Sequence, residues 1–190
     1  LKDSKNHLKL DKINKKTGQA EGADTMIFLT EGQSAGGTLG LARDATNQAV
    51  FFLRGKPLNT CGLNKDVLYR NEEFFNLIKT LDVDESLDRL RYGKIIFATD
   101  ADVDGLHIRM LLATFFMRFY RQLITDGRVF VLETPLFRVR NKKEQYYCFT
   151  DQEREKAIAK CGKGCEITRF KGLGELNAKE FKDFIGKDMR

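Results

Sequence analysis

The 190-residue sequence has no tryptophan, two histidines and four cysteines: Cys61, Cys148, Cys161 and Cys165. No two cysteines are spaced as CxxC, and neither histidine clusters with them, which argues against a structural zinc site. Cys161-Gly-Lys-Gly-Cys165 is spaced so that it could oxidise, but the simpler reading is two free thiols in a reducing cytoplasm, the compartment expected for this chain. No apolar run approaches the roughly 20 residues of a membrane-spanning helix. No secretory leader opens the chain, and there is no internal repeat or low-complexity tract. The sequence starts on Leu1 and stops on a charged stretch, so it reads as a piece of a longer protein.

What is present supports one folded unit. Apolar residues make up 42%, with 15 phenylalanines, enough to build a core and to argue against disorder throughout. The length suits a single mid-sized domain with appendages. The net charge of +6 fits a nucleic-acid partner only weakly, because many basic domains bind nothing acidic. Motifs have to decide.

Residues 1–25 are polar and Lys-rich and read as a linker or the tail of a preceding domain, leaving 26–190 as the domain proper. Met26–Thr30 and Gln48–Leu53 are short apolar runs of the kind found in buried strands, with a helix expected over 34–43 between them. Residues 71–90 carry helical spacing, with Phe74, Leu77, Ile78 and Leu81 on one face. Lys94–Thr99 is the clearest strand. An amphipathic helix is expected from His107 to Ile124, with Phe115, Phe116 and Phe119 as core rather than as a base-stacking surface. A strand over 129–132, a hairpin around Asn141-Lys-Lys143, a helix over 151–160, a strand over 166–170 and a helix over 177–185 complete the expectation. The alternation of strand and helix predicts an α/β fold, a parallel sheet sandwiched by helices, with a C-terminal hairpin and helical extension. In such sheets reactive groups gather at the carboxyl ends of strands.

Two acidic motifs lie at those ends. Glu31 follows one strand, and Asp100, Asp102 and Asp104 follow another. Four carboxylates brought together without a cation would each raise the others' pKa. Oxygen-only ligands select Mg2+, which keeps several waters. Asp100-Ala-Asp-Val-Asp-Gly105 also fits the opening of a calcium EF-hand loop, but the position for the bidentate Glu is Leu111 and the preceding segment is a strand, so that reading fails. A plain solvated turn accounts poorly for three alternating Asp after an apolar strand.

Glu31-Gly-x-Ser-Ala followed by Asp100-x-Asp-x-Asp-Gly105 resembles the TOPRIM pattern. Leu53-Arg-Gly-Lys-Pro-Leu-Asn59, Asp100–Arg109, Thr134-Pro-Leu-Phe-Arg138 and Arg169-Phe-Lys-Gly-Leu-Gly-Glu175 are similar to four blocks of the bacterial type IIA topoisomerase B subunits, in the same order, and the resemblance covers about 26–186. It implies a TOPRIM fold, and an enzyme that breaks a DNA duplex and passes a second duplex through the gap at the expense of ATP. The nucleophilic tyrosine would lie on an A subunit, so the five tyrosines here are not candidates, and the ATP site would lie upstream of residue 1. The full-length assembly implied is an A2B2 heterotetramer on double-stranded DNA, with no membrane partner, and the fragment alone is expected to be inactive.

By the same resemblance Glu31, Asp100 and Asp102 would hold Mg2+, with Mn2+ as a substitute and Asp104 in support. Glu31 would also be the general acid for the leaving 3′ oxygen and the base on religation. Arg54, Lys56, Asn59, His107, Arg109 and Lys171 would contact DNA. The alternatives are a solvated basic turn for Arg54–Lys56, a capping or core histidine for His107, and a glycine-rich turn fixing the sheet edge for Lys171-Gly-Leu-Gly-Glu175, which lacks phosphate-loop spacing. Gln33 departs from the Asp usual in gyrases and, with the spacing from Asn59 to Asp100, favours the topoisomerase IV branch. A non-catalytic nucleic-acid-binding module of the same fold is the second reading, and the presence of both Glu31 and Asp100 speaks against it.

Overall fold

The computed structural model describes residues 6–10, 24–187, 189 and 190; the side chains of 33–36, that of Gln33 among them, lie outside that description. A five-stranded sheet runs in the order β1-β3-β2-β4-β5, made of β1 (His7–Leu8), β2 (Met26–Glu31), β3 (Gln48–Leu53), β4 (Lys94–Ala98) and β5 (Val129–Val131). β2 to β5 are parallel, and β1 pairs antiparallel with β3 through His7↔Phe51 and Leu8↔Val50. Residues 7 and 8, expected as linker, therefore belong to the sheet, and Leu10 is buried in the core beside it. A two-residue strand is too short to carry an alternation that sequence reading can detect.

Period-2 alternation sorts the strand residues between two cores. Ile27, Leu29, Phe51, Ile95 and Phe97 pack with α3 (Glu72–Leu81) and α4 (Val103–Phe119) on one face. Met26, Phe28, Val50, Ile96 and Ala98 pack with α1 (Gln33–Ala42) and α7 (Ala178–Phe184) on the other. The phenylalanines are core, as expected: Phe115 stacks on Phe74 at 4.5 Å between centroids and meets Phe116 edge-on at 4.9 Å. Each such ring contributes about 1.5–3 kcal/mol by leaving water.

Three local features differ from the sequence expectation. A short helix α2 (Lys65–Arg70) forms where none was anticipated, capped by the Asn64 side chain accepting from the Val67 N–H. α3 ends at Leu81 because Asp82 turns left-handed (φ 57°). α4 starts at Val103, not His107, and stops at Phe119; Tyr120 leaves the helix with its ring 5.4 Å from Phe115, and α5 (Arg121–Thr125) follows.

A second, antiparallel sheet of order β7-β6-β8 combines β6 (Phe137–Arg140), β7 (Gln145–Cys148) and β8 (Glu166–Arg169), with α6 (Asp151–Cys161) against it. Arg138 joins it to α7 through a 2.6 Å ion pair with Glu180. Among the described residues, no helix is long and apolar enough to cross a membrane.

Candidate metal and DNA-cleavage site

β2 and β4 are adjacent and in register, Thr30 opposite Ala98, so Glu31 and the loop beginning at Thr99 leave the sheet side by side. Gly32 follows Glu31 with φ 69°, a conformation glycine adopts without strain, and its N–H donates to the Leu53 carbonyl at 3.0 Å. That turn directs the chain into α1 and leaves Glu31 at the sheet's carboxyl edge.

The three aspartates do three different things. Asp102 caps α4: its Oδ1 accepts from the Gly105 N–H at 2.8 Å. Asp104, in the first turn, pairs with Lys56 at 2.7 Å. The Asp100 Oδ1 accepts from the Leu173 amide at 2.7 Å, across 73 residues of sequence. Gly105 is obligatory for this packing, because a Cβ there would stand 2.0 Å from the Asp100 carbonyl oxygen. Burial raises the Glu31 pKa above its usual value, and the charges of Asp100, Asp102 and Asp104 add to the rise, while Lys56 opposes it. The four acids therefore share one electrostatic field.

The expected DNA-contacting residues divide. Arg54, Lys56, Asn59, His107 and Lys171 are exposed. Arg54 pairs with Glu72 at the surface, and its N–H is held by Glu73; burial raises the pKa of that carboxyl. Asn59 turns its side-chain oxygen to the Cys61 N–H, which fixes its own loop. Lys56 joins the acidic loop instead of standing apart from it. His107 lies in the second turn of α4, not at its start, because Asp102 is the cap. Arg109 is placed differently from the expected phosphate contact: Nε donates to the Thr99 hydroxyl at 2.7 Å and Nη2 to the Asp100 carbonyl at 3.0 Å. It braces the acidic loop from beneath. Residues that sequence reading missed are Thr99, whose hydroxyl links Arg109 to the Gly105 carbonyl, and Gly105, Gly172 and Leu173, whose roles run through the backbone and leave no side-chain signature. A cavity of about 680 Å³ lies at the opposite, amino ends of the strands, beside Met26, Gln48 and Lys94, away from the carboxylates. A site for a duplex phosphodiester needs an open edge rather than a cavity, so the acidic edge is the better candidate.

A model of the Toprim domain matches residues 26–134. The chain belongs to the Toprim family. The chain is 52% identical over 185 residues to the B subunit of DNA topoisomerase 4 from Borreliella burgdorferi, covering 97% of the chain and 30% of that protein. It is 45% identical over 163 residues to the B subunit of DNA gyrase from Thermotoga maritima, covering 82% and 25%. Its fold is similar, with a TM-score of 0.84 and 26% identity, to the crystal structure of the DNA-binding, cleavage and re-ligation domain of Plasmodium falciparum topoisomerase II, over 97% of this chain and 26% of that one. The chain spans less than a third of the length of these relatives. It is homologous to type IIA topoisomerase B subunits.

Among the described residues of this Toprim domain, no three carboxylate, imidazole or thiol groups stand close enough to hold an ion by themselves. The expected convergence of four carboxylates is therefore electrostatic and does not amount to a closed cage. Open, oxygen-only donor sets suit Mg2+, which retains waters and takes ligands from phosphate. The raised Glu31 pKa, to which burial contributes most and the charges of Asp100, Asp102 and Asp104 add, fits a cation there, since a divalent ion would offset those charges.

Proposed function

We propose that this chain supplies the Mg2+-binding half of the DNA cleavage and religation site of a type IIA topoisomerase, acting with an A subunit that carries the attacking tyrosine. The observation that carries the reading is the placement of Glu31 beside Asp100–Asp104 at the carboxyl edge of neighbouring parallel strands, with the Glu31 pKa raised. Glu31, Asp100 and Asp102, with Asp104 in support, would hold the ion, and Mn2+ would substitute. Bound there, it would neutralise charge that develops on the phosphate and leaving oxygen.

When the tyrosine oxygen bonds to phosphorus, the bond to the 3′ oxygen breaks and that oxygen takes up a proton. Glu31 would give that proton to the leaving oxygen, and its carboxylate would take it back on religation. Lys56, beside Asp104, and exposed Arg54, Asn59, His107 and Lys171 supply contacts to the DNA backbone. The parent enzyme is proposed as topoisomerase IV rather than gyrase, supported by the 52% identity over nearly the whole chain. ATP hydrolysis and duplex passage belong to an A2B2 assembly, so the fragment alone is inactive. In a reconstituted full-length enzyme, Glu31→Gln keeps DNA binding and slows cleavage and religation together by roughly 10²–10⁴-fold. Cleavage at the unaltered rate would remove the catalytic role.

A further inference from the structure

We propose that the Lys171–Glu175 turn is a clamp that sets the position of the Asp100 carboxylate, with Gly172 and Glu175 as positioning residues for metal binding. The proposal rests on the function argued above. The turn reaches the acidic loop through one backbone donor, the Leu173 N–H, 2.7 Å from Asp100 Oδ1. It is held rigid on both sides of that donor. The Lys171 N–H donates to Glu175 Oε2 at 3.0 Å, and the Glu175 N–H donates to the Gly172 carbonyl at 3.1 Å. The Leu173 and Leu176 side chains are 1% and 2% exposed in the core shared with Phe28 and Phe181, so the turn is anchored to the body of the domain.

Gly172 leaves the other carboxylate oxygen uncovered. A Cβ at Gly172 would stand 3.0 Å from Asp100 Oδ2 and 3.2 Å from Cγ, so any side chain there presses on the carboxylate. The backbone does not itself demand glycine: φ is −140° and ψ 159°, an extended conformation open to any residue. The glycine is needed for the approach to Asp100 alone. From the other side Arg109 holds the Asp100 carbonyl at 3.0 Å. Asp100 is thus fixed at its backbone and at one oxygen, with the second oxygen left for a ligand. Groups that orient a metal ligand in this way contribute to affinity without touching the metal.

The test is a Mn2+ titration of the full 190-residue chain, read by electron paramagnetic resonance, alongside amide NMR. Gly172→Ala is expected to weaken Mn2+ binding roughly tenfold, the lower end of the loss found when groups orienting a ligand are altered, with melting essentially unchanged. Glu175→Ala weakens it in the same direction, and Glu175→Gln restores it, because the amide oxygen still accepts from the Lys171 N–H. The Leu173 amide proton moves upfield in Asp100→Ala. Equal Mn2+ affinity in Gly172→Ala and the unaltered chain, or a Leu173 amide indifferent to Asp100→Ala, overturns the clamp and leaves the metal reading standing. Should Gly172→Ala fail to fold, the two Glu175 variants decide. A Leu173 response intact in a chain that binds no Mn2+ overturns the metal reading and the clamp's role in it.

Discussion

Arg109→Ala separates a brace from a DNA contact. The guanidinium makes two well-formed hydrogen bonds, 2.7 Å to the Thr99 hydroxyl and 3.0 Å to the Asp100 carbonyl, and a longer one of 3.4 Å to the Thr99 carbonyl. Thr99 is 2% exposed, and its hydroxyl also donates to the Gly105 carbonyl, so removing the arginine strips partners from a largely buried loop. Hydrogen bonds to a charged group contribute about 1.5–3 kcal/mol each. Allowing for the half-buried setting of Arg109, the expected loss is about 2–4 kcal/mol. For a domain of this size each kcal/mol moves Tm by about 2–4 °C, so calorimetry should find melting lowered by roughly 5–15 °C. Mn2+ binding should weaken at the same time, since the Asp100 backbone is released. DNA affinity in the full assembly should keep its dependence on salt. Melting within about 2 °C of the unaltered chain, combined with a salt slope reduced by one phosphate contact, would show that Arg109 reaches DNA after all.

Lys56→Ala should do the converse: no measurable change in melting, because the lysine and its Asp104 partner are exposed, and a salt slope of DNA binding flatter by about one contact. An unchanged slope would make Lys56 only the partner of Asp104. Glu180→Gln should cost about 2 kcal/mol and roughly 4–8 °C in melting near neutral pH, by breaking the 2.6 Å pair with Arg138 that joins the small sheet to α7. Burial raises the Glu180 pKa, but the hydrogen bonds from Tyr147 and Arg138 outweigh it and leave the value lowered. That contribution is therefore present above the ordinary glutamate pKa and lost as pH falls through the lowered one. Melting curves of the two proteins should converge in acid, and a constant difference down to low pH would contradict the assignment.

The readable parts of this molecule are those where one residue's chemistry announces itself. β3 spans Gln48–Leu53, as the apolar run predicts, and Phe74, Leu77, Ile78 and Leu81 all face the core as their spacing requires. The acidic residues fall at strand ends because a parallel sheet delivers its loops there. The unread parts depend on backbone groups or on distance along the chain. His107 looks like the start of a helix only until Asp102 is seen to accept from Gly105. Arg109 looks like a phosphate ligand because nothing in its neighbours tells that the Thr99 and Asp100 carbonyls lie within its reach. The glycines of the Lys171–Glu175 turn suggest a sheet-edge turn or a phosphate contact, and neither suggests a carboxylate 73 positions upstream.

Asp102 has both a structural and a chemical claim on its carboxylate, and two substitutions divide them. As the cap of α4 it offers Oδ1 to the Gly105 N–H, with extended backbone (φ −96°, ψ −177°) that suits the position. Asparagine caps a helix about as well as aspartate, whereas alanine costs about 1 kcal/mol. Asp102→Asn therefore keeps the cap and gives up only the charge that favours a helix N-terminus, about 0.3–1 kcal/mol at the surface. It also removes one of the charges that raise the Glu31 pKa, which offsets part of that loss. Melting should stay within about 2 °C of the unaltered chain, while Mn2+ binding falls because an anionic oxygen ligand has become a neutral one. Asp102→Ala should lose the same Mn2+ binding and, in addition, about 2–4 °C of melting temperature. The two variants thus agree on the metal and differ on the fold. If Asp102→Asn bound Mn2+ as well as the unaltered chain, the carboxylate would be a cap alone, and the ion would have to rest on Glu31 and Asp100.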